Sequence, residues 1–217
     1  MNWLIEPGSS ATFAASPRRI AFVPGAAGAG AFWSPIVQRL PADWLAEALD
    51  LPGLGTIPAR ADVGSYDDLA EYVHEKIARP TVLVAQSMGV YIALALALRH
   101  PDSITHLVLV AATGGVNMAV HGAAEWRADY AANYPHAARW ACALVPDLTE
   151  RLGDLKIPVL LIWPTRDALS PIGVGHTIAA HVPRASLVSF ESEDHWVVHQ
   201  FPDHVAAAIE SFVERES

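Results

Sequence analysis

Sulfur is scarce in this sequence. Cys142 is the single cysteine in 217 residues, which excludes an internal disulfide and any zinc cluster built on thiolates. Charge is scarce as well: 17% of residues are charged against 52% hydrophobic, a balance that excludes a disordered chain. Basic residues are the rarer sign, with 14 Lys and Arg against 23 Asp and Glu and a net charge of −9. An acidic surface repels nucleic acid and anionic membranes, so neither is expected as a partner. Long apolar runs are also missing, because the longest apolar helical stretch, Val90 to Leu98, is too short to cross a bilayer. Met1 to Ala11 carries Glu6 and no basic residue ahead of its short apolar stretch, so it does not read as a signal peptide. These absences leave a soluble globular protein, expected in the cytoplasm, long enough to bury a sizeable core in one domain.

What is present is a rhythm of strands and helices. Arg19–Val23, Thr81–Val84, Ile104–Val110, Pro158–Trp163 and Ser186–Phe190 read as short strands, most of them apolar throughout, as buried parallel strands are. Helical spacing lies between them. It covers Trp33–Leu40, ending before Pro41; Tyr66–Ile77, with Ser65 as cap and Asp67 and Asp68 at its positive end; a helix reaching His100 and stopped by Pro101; and Asp203–Arg215. Trp44–Leu51 stays open, since Ala and Glu favour helix while the exit through Leu51-Pro52-Gly53-Leu54-Gly55 suits a strand. Alternation of this kind demands crossover connections. It predicts an α/β fold with a mostly parallel central sheet flanked by helices on both faces. Thr113–Leu155 breaks the rhythm, holding Trp126, Tyr130, Tyr134 and Trp140 but no clear strand. It is expected to be a small helical cap insertion, about residues 113–155, of two or three short helices over the carboxyl ends of the strands. No internal repeat or linker divides residues 1–217, so a single domain is expected.

The most informative segment is Val84-Ala85-Gln86-Ser87-Met88-Gly89-Val90. A strand runs into a serine with small residues two positions to either side, and a helix follows at once. A sharp turn that lifts a serine hydroxyl above a sheet needs small residues there. On these residues alone, a serine that merely caps the helix fits equally well. Three other segments bear on the choice. Phe22-Val23-Pro24-Gly25-Ala26-Ala27-Gly28 puts a glycine-rich loop after an earlier strand, where a backbone N–H can face a developing oxyanion. Leu161-Ile162-Trp163-Pro164-Thr165-Arg166-Asp167 places a carboxylate just past a strand, and Ser192-Glu193-Asp194-His195-Trp196 places a histidine before the final helix.

With these segments in this order, the sequence resembles the α/β-hydrolase family over nearly its whole length. Asp50-Leu51-Pro52-Gly53-Leu54-Gly55 matches the family's loop leaving the strand before the elbow strand. The chain order Ser…Asp…His is also the family's. The resemblance implies Ser87 as nucleophile, His195 as base, Asp167 as the acid that orients it, and the N–H groups of Ala26 and Met88 as the oxyanion hole. Three departures stand out. Pro24-Gly25 replaces the family's His-Gly, Ala85 replaces the first elbow glycine, and Asp194 precedes the histidine where glycine is usual. Asp194 is therefore a rival to Asp167. The chain ahead of Ile20 has room for only about one short hairpin, so the sheet is expected to be shortened at that edge.

The implied chemistry is hydrolysis of a small, largely apolar carboxylic ester through an acyl-enzyme, with a small-molecule substrate as partner and with neither cofactor nor metal. Two alternatives remain: a C–C bond hydrolase or lyase, and a receptor-like ligand-binding homologue with slow turnover. Serine at the elbow sets aside the aspartate-nucleophile branches. Without a glycine-rich phosphate loop followed by lysine, nucleotide binding is set aside too. Trp33, Trp126 and Trp196 are candidate pocket walls; core packing fits Trp33 and Trp196 equally well, and docking of the insertion is the plainer reading of Trp126. His74 and His100 fall in helical segments and read as structural. His199, four residues after His195, has the spacing of a metal pair but no third ligand. Arg127, Arg139 and Arg151 lie far apart and form no basic cluster, so strongly anionic substrates are expected to be poor. The opposing reading has one of them, Arg127 first, hold a substrate carboxylate for a C–C hydrolase or lyase. The sequence leaves the natural substrate and the oligomeric state open.

Overall fold

The computed structural model describes residues 18–216. The readings of Met1–Ala11 and of a hairpin before Ile20 lie outside those residues, apart from Arg18 and Arg19. Six strands form one sheet in the order β2-β1-β3-β4-β5-β6. They are β1 (Arg19–Val23), β2 (Leu45–Ala48), β3 (Thr81–Gln86), β4 (Ile104–Val110), β5 (Val159–Pro164) and β6 (Ala185–Phe190), and every neighbouring pair is parallel. The helices are α1 (Ser34–Val37), α2 (Tyr66–Lys76), α3 (Gly89–Arg99), α4 (Arg127–Asn133), α5 (Ile172–His181), α6 (Val197–Gln200) and α7 (Pro202–Arg215). None of them is long and apolar enough to cross a membrane.

Side chains alternate across the sheet with period two, which splits the core into two layers. Leu83, Leu107, Leu109, Leu161 and Trp163 join the layer under α2, α3 and α5. Val82, Val84, Val108, Val110, Leu160 and Ile162 join the layer with residues of α1, α6 and α7. Each fully buried side chain of this size contributes about 1.5–3 kcal/mol. α2 shows how local chemistry sets an element. Ser65 Oγ accepts the Asp68 N–H at 3.1 Å, the Asp68 carboxylate accepts the Gly64 N–H at 3.0 Å, and Leu69, Ala70 and Val73 face the core.

The strand order positions the site. From β1 the chain lays β2 on one side and then crosses to place β3 on the other. Loops leaving β1 and β3 therefore diverge, opening a crevice at their carboxyl ends. The register pairs Val23 with Ala85 and Gln86 with Val110, so the last residues of β1, β3 and β4 lie level along one rim.

Several elements differ from the sequence reading. Trp44–Leu51 resolves as the edge strand β2, whose four residues are exposed. Pairing with β1 overrides the helix preference of Ala and Glu. The expected Trp33–Leu40 helix is a 3₁₀ turn at Gly30–Trp33 followed by four α-helical residues, with Pro35 in the first turn. α5 escapes the sequence reading because Gly173 and Gly175 dilute its helical pattern. Gly175 has a packing role, since a Cβ there would lie 3.0 Å from the Trp163 ring. The β4–β5 connection is less helical than expected. It holds one seven-residue α-helix, α4, and 3₁₀ turns at Ala119–His121, Arg139–Cys142 and Thr149–Asp154. Gly114, Gly115, Gly122, Pro135 and Pro146 interrupt it too often for longer helices. Polar anchors hold it instead: Tyr130 Oη accepts the Gly55 N–H at 2.8 Å, and Ala138 N–H donates to the Gly53 carbonyl at 2.8 Å.

Candidate active site

Ser87 stands at the switch point between β3 and α3 with φ of 56°, a left-handed conformation that a non-glycine residue adopts at a cost of about 1–3 kcal/mol. The neighbours that hold this turn leave no room for side chains. A Cβ on Gly89 would lie 2.4 Å from the Pro24 carbonyl oxygen, and one on Gly25 would lie 2.9 Å from Ser87 Cβ. Backbone bonds complete the turn: Ser87 N–H donates to Val110 O at 3.0 Å, and Val90 N–H donates to Ser87 O at 3.1 Å.

His195 lies in the loop before α6. Its Nε2 is 3.0 Å from Ser87 Oγ and its Nδ1 is 2.6 Å from Asp167 Oδ2. The Asp167 side chain is 1% exposed and that of His195 10%, so the pair is shielded from water. Asp167 Oδ1 accepts the Leu169 N–H at 2.8 Å, which fixes the carboxylate plane. The rival Asp194 turns elsewhere, its Oδ1 accepting the Trp196 N–H at 2.8 Å. The two acids thus have different partners, although both lie close to His195 in one sense or the other, Asp167 in space and Asp194 in sequence.

The loop after β1 lies against the elbow. Gly28 and Gly55 clamp it, since a Cβ on Gly28 would lie 2.6 Å from Leu54 O and one on Gly55 1.9 Å from Ala27 O. Ala26 follows Gly25, which touches Ser87, and Met88 follows Ser87 directly. Among the described residues, neither the Ala26 nor the Met88 N–H has a backbone or side-chain acceptor. The Met88 amide follows the serine directly and the Ala26 amide belongs to the loop packed on it through Gly25, both with hydrogen-bonding capacity unspent.

A cavity of about 340 Å³ runs from Thr113 into the β4–β5 connection. Val116, Met118, Trp126, Leu144, Val145 and Leu169 give it apolar walls, and Asn117, Glu125, Arg127 and Asp147 add polar ones. Arg127 Nη1 donates to Glu125 Oε1 at 3.0 Å, and its guanidinium lies over the Trp126 ring at 5.0 Å, so its charge is already balanced.

Of the three tryptophans read as pocket walls, Trp126 alone lines this cavity. Trp33 is a correction: it is fully buried against Phe22, ring centroids 5.1 Å apart, in the core layer with α1 and α7. The 3₁₀ turn after the β1 loop folds it under the sheet rather than over the strand ends. Trp196 is a second correction. It is 59% exposed, because the turn into α6 points His195 inward and its neighbour outward. His199 Nε2 bonds to the Phe32 carbonyl at 2.9 Å. His74 and His100 stack at 3.7 Å beside Glu71, near the far end of α3 from Ser87, where Arg79 and Arg99 also bond to the cluster.

Sequence reasoning missed two residues at the nucleophile. Thr113 Oγ1 lies 3.0 Å from Ser87 Oγ, and the buried Gln86 side chain packs on Gly25. The available signal was positional: Thr113 follows β4 by three residues, on the rim that carries the elbow.

Comparison with known proteins bears on the family. Residues 19–141 match the family described as alpha/beta hydrolase fold. A pimeloyl-(acyl-carrier protein) methyl ester esterase of Neisseria meningitidis is 28% identical, over 82% of this chain and 87% of its own. A hydrolase from Pseudomonas aeruginosa PA01 superposes with a TM-score of 0.78 at 21% identity, covering 92% of this chain and 91% of its own. A thermophilic esterase from Thermogutta terrifontis superposes at 0.76 with 19% identity, covering 92% and 91%. The two superpositions bear on the fold alone.

Proposed function

The chain belongs to the alpha/beta hydrolase fold family, and from that premise we propose that it is a serine esterase in which Ser87, His195 and Asp167 form the catalytic triad. The observation that carries this reading is the continuous chain Ser87 Oγ–His195 Nε2 and His195 Nδ1–Asp167 Oδ2, at 3.0 and 2.6 Å. Serine is a weak nucleophile until a base takes its proton. Asp167, accepting at Nδ1, leaves Nε2 free to be that base and stabilises the imidazolium that forms. Oγ then bonds to the ester carbonyl carbon while its proton passes to Nε2. The alcohol leaves with that proton, and water attacks the acyl-enzyme by the same route in reverse. The N–H groups of Ala26 and Met88 bind the carbonyl oxygen as it becomes negative. Losing one such donor typically costs about 3–4 kcal/mol of transition-state stabilisation.

The cavity and the relatives support a substrate class. The Neisseria relative is named for a methyl ester of an acyl chain, and this cavity has mostly apolar walls. The proposed substrate is a short-alcohol ester, methyl in the first instance, of an apolar acyl chain. The β4–β5 connection acts as the cap over that chain. A C–C hydrolase would need an unpaired cation for its dicarboxylate, and Arg127 is paired with Glu125.

Methyl and p-nitrophenyl esters of acids from acetate to decanoate, run beside a dicarboxylate monoester and a fluorophosphonate label, test the proposal. Wild type should be labelled and folded Ser87→Ala should not. kcat/KM should rise with chain length and then fall once the cavity is full. Labelling that persists in Ser87→Ala overturns the nucleophile, and a large preference for the anionic ester overturns the substrate class.

A further inference from the structure

Ser87 Oγ has a second hydroxyl neighbour. Thr113 Oγ1 lies 3.0 Å from it, and Thr113 is only 4% exposed. The Thr113 N–H also donates to the Ser87 carbonyl at 3.3 Å, so backbone and side chain both tie this residue to the elbow. Thr113 stands where the cavity begins, between the nucleophile and the apolar walls.

Proton counting fixes the direction of this bond. A hydroxyl carries one proton and accepts through two lone pairs. With His195 Nδ1–H given to Asp167, Nε2 is an acceptor and takes the single proton of Ser87. The proton between Ser87 and Thr113 then belongs to Thr113. We propose that Thr113 is a positioning residue for acylation: its O–H donates to Ser87 Oγ and holds that oxygen, in its attacking rotamer, at the head of the cavity. One lone pair remains for the substrate carbonyl. The inference rests on the reading of Ser87 as nucleophile.

Its consequence is unequal between the two half-reactions. In acylation, Ser87 Oγ is the attacking atom, its bond to the carbonyl carbon forms as its proton passes to Nε2, and the Thr113 donor steadies the oxygen throughout. In the acyl-enzyme, Oγ is an ester oxygen, a poor acceptor already held by a covalent bond. The attacking oxygen is now that of water, aligned by His195. Oγ departs only after that attack, taking its proton from His195 as it leaves. With attack by water as the limiting step of deacylation, removing the Thr113 donor should slow the first half-reaction and largely spare the second. A residue that only packs would not divide the steps in this way.

The test compares Thr113→Val, which keeps the shape and removes the hydroxyl, with Thr113→Ser, which keeps the hydroxyl. The rate of fluorophosphonate labelling reports attack by Oγ, and decay of isolated butyryl-enzyme reports deacylation. Thr113→Val should label about tenfold more slowly, the usual size of one lost hydrogen bond at a reacting atom. Its acyl-enzyme should decay within about twofold of wild type, and Thr113→Ser should recover labelling to within about twofold. Should the valine variant fail to fold, Thr113→Ala, which introduces no new packing, serves for the same measurement. Labelling of Thr113→Val at the wild-type rate overturns the inference, as does a serine variant as slow as the valine one. Ser87→Ala separates the two failures: if it still labels, the nucleophile is wrong; if it does not and Thr113→Val labels normally, only the role of Thr113 falls.

Discussion

The strand-end loops around Ser87 and the β4–β5 connection that lines the cavity meet at Thr113, yet they are built on different terms. Around Ser87 the packing leaves no space: a single methyl group would collide with backbone at Gly28, Gly55 and Gly89 and with the Gln86 and Ser87 side chains at Gly25. The connection is looser, one short helix among turns, with Leu144 82% and Val120 72% exposed. Reacting atoms tolerate misplacement of only a fraction of an ångström. A wall that recognises a hydrocarbon chain needs only shape and apolarity. The difference in construction matches that difference in task.

The comparison breaks most visibly at the acids. Asp167→Asn should lower kcat by about three to four orders of magnitude, through loss of tautomer control, while Asp194→Asn costs at most about tenfold. Steady-state kinetics on both variants would check the ranking, and its reversal would move the orienting role to Asp194. Next in size is the anchor between the two regions. Tyr130→Phe strands the buried Gly55 N–H and should cost about 1–3 kcal/mol. In a chain of this length that is roughly 2–4 °C of Tm per kcal/mol, measurable by thermal unfolding. Third comes a change confined to the connection. Trp126→Ala enlarges the cavity and should shift the preferred acyl chain to a longer one, each added methylene gaining about 0.8 kcal/mol, or about fourfold in kcat/KM. The Tm should fall as well, because the half-buried ring packs against Tyr130 at 5.5 Å, and an unchanged chain-length profile would remove Trp126 from the wall.

The smallest effect lies away from both regions. Burial against α7, with the Phe212 ring edge-on at 5.6 Å, holds the His106 imidazole below its ordinary pKa. The unfolded chain therefore binds this proton more readily than the folded one. His106 contributes its full stability above the ordinary histidine value of about 6.5, and that contribution is lost as pH falls below it. His106→Leu should flatten part of the fall in Tm between about pH 7 and pH 5 and leave the activity profile in place. An unchanged slope would assign the acid sensitivity to other groups.

What the sequence made legible divides along the same line. β4 was read to the residue, and β3 nearly so, because a strand buried on both faces is a continuous apolar run. Ser87, Asp167 and His195 were singled out because each follows or precedes an element with clear ends. β2 was ambiguous because its exposed side chains carry no burial signal. Trp33 and Trp196 were misplaced because neighbourhood in sequence does not say which side of a turn a ring takes. The helix content of the connection was overestimated for a related reason: its aromatic residues are anchors, Tyr66 Oη to Ala141 O at 2.6 Å and Trp140 Nε1 to Val63 O at 3.2 Å, rather than one face of a helix. Anchors of that kind have no period to read.

The crowding of glycines around the elbow also says how such a protein can diversify. Gly28 with Leu54, Gly55 with Ala27 and Gly89 with Pro24 lock three stretches of chain, remote in sequence, against one another. A single codon change at any of them has nowhere to go without a simultaneous change in another stretch, a double event that random variation rarely supplies. Heritable novelty is thereby channelled away from the chemistry and into the exposed positions of residues 116–148, such as Val120 and Leu144, where substitutions meet solvent between the anchors. In a mutagenised population selected on a new ester, the surviving changes should crowd into that stretch while the glycines stay silent.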